Sequence, residues 1–241
     1  MSTKTELAHA DNVIKLGDED AVRKVLVDSV FGLWKVVNEL TRLQPTRRES
    51  YRVTIFGSAR AKPGTVAYEE TKRVAEALSG MGCDIITGGG PGLMQAANEG
   101  TEMAAGDHGK SVGIRVDLPF EQTVNPFVEQ AFDHGTFFTR LHHFVLASDA
   151  FVVAPGGVGT VLETMMIWQL LQVNHIERAP LILVGRMWPG LIEWCRTQML
   201  GFETPLANAE DMDIPVCVPT GEEAIAILKD HHAKWVEKNK V

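Results

Sequence analysis

The sequence predicts an α/β fold: a doubly wound, Rossmann-like parallel sheet with helices on both faces and a helical extension at the N-terminus. Two observations carry this. Short β-branched runs alternate with helical segments from about residue 51 to 200, which implies right-handed crossovers and parallel pairing. The runs are apolar throughout, without the in–out alternation of a half-exposed sheet, so both faces are covered.

The domains follow from composition. Residues 1–50 are charged and hold no glycine-rich loop. Val22, Val25, Leu26, Val30, Leu33, Trp34, Val37 and Leu40 fall near helical spacing, so one or two amphipathic helices are expected. They either pack on the main domain or form a subunit contact. "QPTRRES" reads as a linker. Residues 51–241 form the Rossmann-like main domain, with strand runs "RVTIFG", "CDIIT", "SVGIRV", "AFVVAP" and "PLILVG". Helical segments "YEETKRVAEALSGMG", "GLMQAANEGTEMAAG", "FFTRLHHFVLASD" and "VLETMMIWQLLQ" lie among them. "IPVCVP" reads as an edge strand or extended segment. The terminal helix begins near Thr220, where Glu223 completes a capping-box spacing.

Composition narrows the function. The chain has 241 residues, 45% of them hydrophobic, with 23 Lys+Arg against 31 Asp+Glu and a net charge of -8. That balance argues against nucleic acid or an acidic membrane as partner, since both call for a basic face. No apolar run approaches the ~20 residues of a membrane span, and the first residues lack the apolar core of a signal peptide. Cys83, Cys195 and Cys217 are widely spaced and read as reduced thiols of a cytoplasmic protein.

Two glycine loops, each after a strand and before a helix, point to an anionic ligand. "TGGGPGLM" supplies Gly88, Gly89, Gly90 and, opening its helix, Met94. "PGGVGT" supplies Gly156, Gly157, Gly159 and Thr160. Such turns aim main-chain N–H groups at an anion, and the helix dipole favours phosphate. A third loop, "FGSAR", adds Gly57, the Ser58 hydroxyl and Arg60. If the first and fourth runs flank the point where strand order reverses, their loops meet over one crevice. Neither loop has the P-loop lysine. The first lacks the third glycine of a dinucleotide fingerprint, and no ribose-binding acid ends "SVGIRV".

"TGGGPGLMQAANEG" and "PGGVGTVLE" resemble the Lonely Guy family of nucleoside 5'-monophosphate phosphoribohydrolases, best known for releasing cytokinin bases. Pro155 to Glu163 match the family's P-G-G-x-G-T-x-x-E motif throughout, and the resemblance covers about residues 52–172. It implies hydrolysis of the N-glycosidic bond of a nucleoside 5'-monophosphate, a cytokinin riboside monophosphate or AMP, to free base and ribose 5-phosphate. Glu163 would then lie beside the ribose as base or cation stabiliser. Arg140, at the family's arginine position, would bind phosphate or assist the leaving base. Glu121 resembles an acid placed near the ribose hydroxyls, and Met94 would line the base pocket. The resemblance also implies a homodimer or larger homo-oligomer with site residues near the interface.

Other readings stand beside these. Thr160 and Glu163 have the spacing of a capping box, and Arg140 has a plain reading as a surface helix residue. Leu141, Val158 and Leu162 depart from plant-like members, which have a lysine, an aromatic and an acid there, so a broader purine or pyrimidine substrate range is expected. Many such sequences carry a lysine-decarboxylase label. Yet no lysine occurs from Ser111 to Leu228, and a Schiff base needs one. His142 and His143 are adjacent, as are His231 and His232, which turns each pair apart on a helix. No catalytic metal and no cofactor are expected. The alternative is a non-catalytic nucleotide- or cofactor-binding carrier of similar fold.

Overall fold

The computed structural model describes residues 16–40, 49–106, 109–116, 124–176 and 178–239. The chain divides into two compact units, residues 1–46 and 47–241. Among the described residues the first contributes one helix, α1 (Glu19–Leu40). The Asp18 carboxylate caps it by accepting the Ala21 N–H at 3.1 Å. Val25, Leu26, Val27, Val30, Phe31 and Leu33 on this helix are exposed.

The second unit is a seven-stranded, all-parallel sheet in which a described helix separates every two successive strands except β3 and β4. In chain order these are β1 (Arg52–Phe56), α2 (Val66–Ser79), β2 (Asp84–Thr87), α3 (Leu93–Met103), β3 (Ser111–Val116), β4 (Gln130–His134), α4 (Phe137–Ala147), β5 (Ala150–Val153), α5 (Val158–Gln172), β6 (Leu181–Val184), α6 (Trp188–Leu200), β7 (Pro215–Val218) and α7 (Gly221–Asn239). Strand order is β4-β3-β2-β1-β5-β6-β7. The chain winds outward from β1 to β4, then returns to β5 on the other side of β1. The reversal therefore falls between β1 and β5, where Val53 pairs with Ala150 and Phe56 with Val153. The expected neighbours are adjacent, although "AFVVAP" is the fifth strand and not the fourth. The additional strand, β4, is a largely exposed edge that pairs with β3.

Alternate residues of the central strands feed two cores, as the two-residue period of a strand requires. Val53, Ile55, Ala150, Val152, Ile182 and Val184 pack with Leu78 of α2 and Leu228 of α7. Phe56, Phe151, Val153, Leu181 and Leu183 pack with Phe144 of α4, Ile167 and Trp168 of α5 and Trp188 of α6. Each large side chain fully removed from water contributes about 1.5–3 kcal/mol, which holds the C-terminal edge of the sheet in a fixed place. At the terminal helix the Thr220 hydroxyl accepts the Glu223 N–H at 3.4 Å, as its spacing predicts.

Gly100 lets α3 lie against α2. A Cβ built there would stand 2.1 Å from the Lys72 carbonyl oxygen, whereas one at exposed Gly190 of α6 meets nothing within 4 Å. Gly100→Ala is expected to cost about 1–3 kcal/mol by overpacking, and Gly190→Ala to add about 0.5–1 kcal/mol of helix stability. Denaturant melts of the two variants read both signs.

Candidate active site

All three predicted loops lie at the C-terminal edge of the sheet, after β1, β2 and β5. Backbone bonds stitch them together: the Ser58 N–H donates to the Pro155 carbonyl at 3.1 Å, and the Leu93 N–H donates to the Ser58 carbonyl at 2.9 Å. Gly92, at φ 70°, is the N-cap of α3, and a Cβ there would stand 2.3 Å from the Ser58 carbonyl. Only glycine allows that crossing.

The Pro155–Thr160 loop opens α5. Gly157 is the N-cap and Val158 the first helical residue. The N–H groups of the first turn have no partner four residues back, and Gly157, Val158 and Gly159 are exposed. Cβ atoms at Gly157 and Gly159 would meet nothing, so packing does not demand glycine at either position. Open space over unpaired donors suits an anion. Gly156 differs, because a Cβ there would stand 2.2 Å from Thr160 Oγ1. Its N–H donates to Met187 Sδ at 3.4 Å, from the turn before α6, a contact the loop sequence does not announce.

Because α5 begins at Val158, Thr160 is its third residue and cannot be its N-cap. The capping-box reading of Thr160 and Glu163 is therefore corrected. Glu163 shares the buried stripe of α5 with Thr160, Thr164, Ile167, Trp168 and Leu171. Its carboxylate meets Arg140 instead: Arg140 Nη1 lies 3.2 Å from Glu163 Oε1, with 12% and 11% of the two side chains exposed. The surface reading of Arg140 fails as well. Its Nε donates to the Ile114 carbonyl within β3 at 3.0 Å, and its guanidinium carbon sits 5.1 Å from the centre of the Phe144 ring.

Gly88 makes room for this arginine. A Cβ there would stand 2.4 Å from Arg140 Nη2 and 2.6 Å from Met94 Sδ. Thus Arg140, Glu163, Gly88 and Met94 are brought together, alongside the β1 and β5 loops. Glu121 lies outside the described residues. Leu141 is buried, so the position of the plant-like lysine faces the core, while Val158 and Leu162 are exposed. His143 bonds His134 at 3.0 Å and so turns away from His142. Among the described residues, no three His, Cys, Asp or Glu side chains converge, and no helix is long and apolar enough to cross a membrane.

Burial pushes the Glu163 carboxyl up to about 7, against the downward pull of the Arg140 guanidinium. Burial disfavours the charged form, and one cation 3.2 Å away offsets only part of that. The carboxyl therefore stands near the point where it can take or give a proton in neutral solution.

A family model described as "Possible lysine decarboxylase" matches residues 94–228, more than half of the chain. The chain belongs to this family, the Lonely Guy family. The pyrimidine/purine nucleotide 5'-monophosphate nucleosidase of Escherichia coli K12 is 28% identical over 125 residues, 49% of this chain. The homologous protein of Escherichia coli O157:H7 gives the same values. Both matches span 28% of those relatives' own length. Among solved structures, the molybdenum cofactor carrier protein of Chlamydomonas reinhardtii superposes with a TM-score of 0.58 at 18% identity, covering 77% of this chain and 99% of that one. The molybdenum cofactor binding protein of Rippkaea orientalis gives 0.56 at 18%, covering 76% and 97%. At these identities the likeness is one of fold.

The decarboxylase wording of the family description finds little support in the residues. Lys110 is the single lysine inside the matched segment, and it is exposed beside the N-terminal end of β3, across the sheet from the loops. Lys72 is held by Glu69 at 3.1 Å and Glu99 at 3.3 Å.

The buried pair makes a prediction that needs no substrate. Arg140→Ala removes the group that lowers Glu163, so the carboxyl should titrate above its wild-type value. A carboxyl raised in the folded state favours folding at low pH and loses that advantage as pH rises through the raised value. The stability penalty of Arg140→Ala should therefore be larger at pH 8.5 than at pH 5, read by thermal melts. A penalty that shrinks as pH rises would contradict the ion pair.

Proposed function

We propose that this chain hydrolyses the N-glycosidic bond of nucleoside 5'-monophosphates, AMP or a cytokinin riboside monophosphate among them, to free base and ribose 5-phosphate. One observation carries the reading: the buried Arg140–Glu163 pair stands beside two glycine loops that open helices, one after β2 and one after β5, where strand order reverses. The nucleosidase names of the Escherichia coli relatives support it.

The phosphate is received by the first-turn N–H groups of α5, from Gly157 to Thr160, with Ser58 and the Gly88–Gly90 loop alongside. No surface lysine is needed, so a net charge of -8 is no obstacle. The ribose then lies against Glu163. As the bond to the base breaks, positive charge develops on the sugar, and the carboxylate stabilises it or takes a proton from the attacking water. Arg140 holds the carboxylate in place and offers its fork to phosphate or to the departing base. Met94 and Glu121 contact base and ribose. Water supplies the hydroxyl group that ends on the sugar, so the reaction needs no cofactor.

Phe137, Phe138, Val158 and Leu162 are exposed on α4 and α5, the helices that carry the pair. Their exposure supports a homodimer or larger assembly, which light scattering tests. Cys83, Cys195 and Cys217 are free thiols, in keeping with a cytoplasmic setting.

Incubation with a panel of monophosphates, followed by chromatography for free base and ribose 5-phosphate, tests the activity. Glu163→Gln should lower turnover by roughly 10²–10⁴-fold, the usual worth of a positioned acid or base, with a cooperative melt retained. Wild-type rates in that variant would overturn the role. Nucleotide binding without turnover across the panel would make the chain a carrier. The ionised carboxylate is the working form, so kcat/KM should rise with pH through an acid limb near 7. That limb lies above the second ionisation of a phosphate monoester, at about 6, and should vanish from the residual activity of Glu163→Gln.

A further inference from the structure

Behind the Gly88–Gly90 loop lies a closed set of polar side chains that the chemistry above does not use. Thr87, Asn98 and Ser111 are fully buried, and Asn125 is nearly so. They come from β2, α3, β3 and the segment before β4, and Asn98 is their hub. Asn98 Oδ1 accepts from Thr87 Oγ1 at 2.7 Å and from Asn125 Nδ2 at 3.0 Å. Asn98 Nδ2 donates to Ser111 Oγ at 2.9 Å, and that hydroxyl donates to the Phe127 carbonyl at 2.6 Å.

The loop is bound to this set at three points. The Gly89 N–H donates to Thr87 Oγ1 at 2.9 Å. The Gly89 carbonyl accepts the Asn125 N–H at 2.9 Å. The Gly90 carbonyl accepts Asn125 Nδ2 at 3.0 Å. A hydroxyl has one proton to give. Because Asn98 Oδ1 takes that of Thr87, a lone pair is left facing the Gly89 N–H. Turning the Asn98 amide over would set NH2 against NH2 at Asn125, so the network has one polarity. In a trans peptide the C=O and the next N–H point in opposite directions. With the Gly89 carbonyl held on Asn125, the Gly90 N–H faces away from the network.

We infer that Asn98, acting with Asn125, is a positioning residue: it holds the Gly89 and Gly90 carbonyls inward, so that the Gly90 N–H, and neither of those two carbonyls, is offered to an anionic substrate oxygen. The inference rests on the nucleotide reading above. Its physical basis is that a carbonyl turned toward a phosphate repels it, whereas an N–H binds it. A glycine loop has no side chains with which to choose between the two. Asparagine is also a weak helix former, and an amide buried without partners is costly. Its place in the middle of α3 makes sense through these bonds.

Turnover by the wild-type chain is measured first. If no monophosphate is cleaved, the nucleotide reading falls and this inference falls with it. Given turnover, Asn98→Ala and Asn125→Ala are compared with wild type for KM, kcat and melting temperature. A positioning role predicts KM for AMP raised about tenfold or more in both, with kcat within about threefold, the pattern of a lost binding contact. The double variant should be little worse than either single one, since the two residues act as a unit. A lower melting temperature with unchanged KM in both would show a purely structural role and overturn the inference. If neither variant folds, amide exchange of Gly90 is followed in the wild-type chain with and without ribose 5-phosphate. Marked slowing supports the inference, and unchanged exchange contradicts it.

Discussion

A guanidinium and a carboxylate locked together under the C-terminal edge of a parallel sheet set the terms for the residues around them. Taking both charges out of water is expensive, and their mutual attraction repays this only with further bonds. Arg140 has those bonds, from the Ile114 carbonyl and the face of Phe144. Glu163 leans on Arg140, and so keeps a carboxyl that burial holds near neutrality. The pair also explains Gly88, since any side chain there would strike the guanidinium. One ion pair thus ties β3, α4 and α5 to a single point beside the loop after β2.

Charge and main chain divide the work around that point. The protein is acidic overall, and the proposed function has helix N-termini and glycine loops, not a basic surface, receive the phosphate. Fixed dipoles of this kind need no counter-charge and little reorganisation when a ligand arrives. The cost is that the loops themselves must be held. Packing does this at Gly92 and Gly156, where the backbone touches Ser58 and Thr160. Hydrogen bonds do it at Gly89 and Gly90, through buried Thr87 and Asn125.

Much of this is written in the sequence, and what is missing has physical causes. The central strands were legible because both their faces are apolar, and the loops because glycine before a helix has few other uses. β4 was not: "QAFDH" is an exposed edge that pairs through its backbone and makes polar side-chain contacts, which leaves no hydrophobic pattern. Thr160 and Glu163 have capping-box spacing, but Gly157 starts the helix earlier, and only the backbone reveals that. A sharper signal was present. Glu163 falls on the same stripe as Ile167 and Leu171, and Arg140 on the same stripe as Leu141 and Phe144, so each charge sits where a helix buries its apolar face. Asn98 follows the same pattern, between Ala97 and Thr101. Its partners come from three other elements, and their convergence is a tertiary fact.

The central claim is that the α5 N-terminus grips a phosphate while the buried carboxylate faces the sugar carbon that loses its base. A crystal structure of Glu163→Gln soaked with AMP tests it most directly. The account predicts phosphate oxygens within hydrogen-bond distance of the N–H groups of residues 157–160, and the ribose anomeric carbon against the residue 163 side chain. A nucleotide seated elsewhere, or one whose sugar lies beyond reach of that side chain, would contradict it.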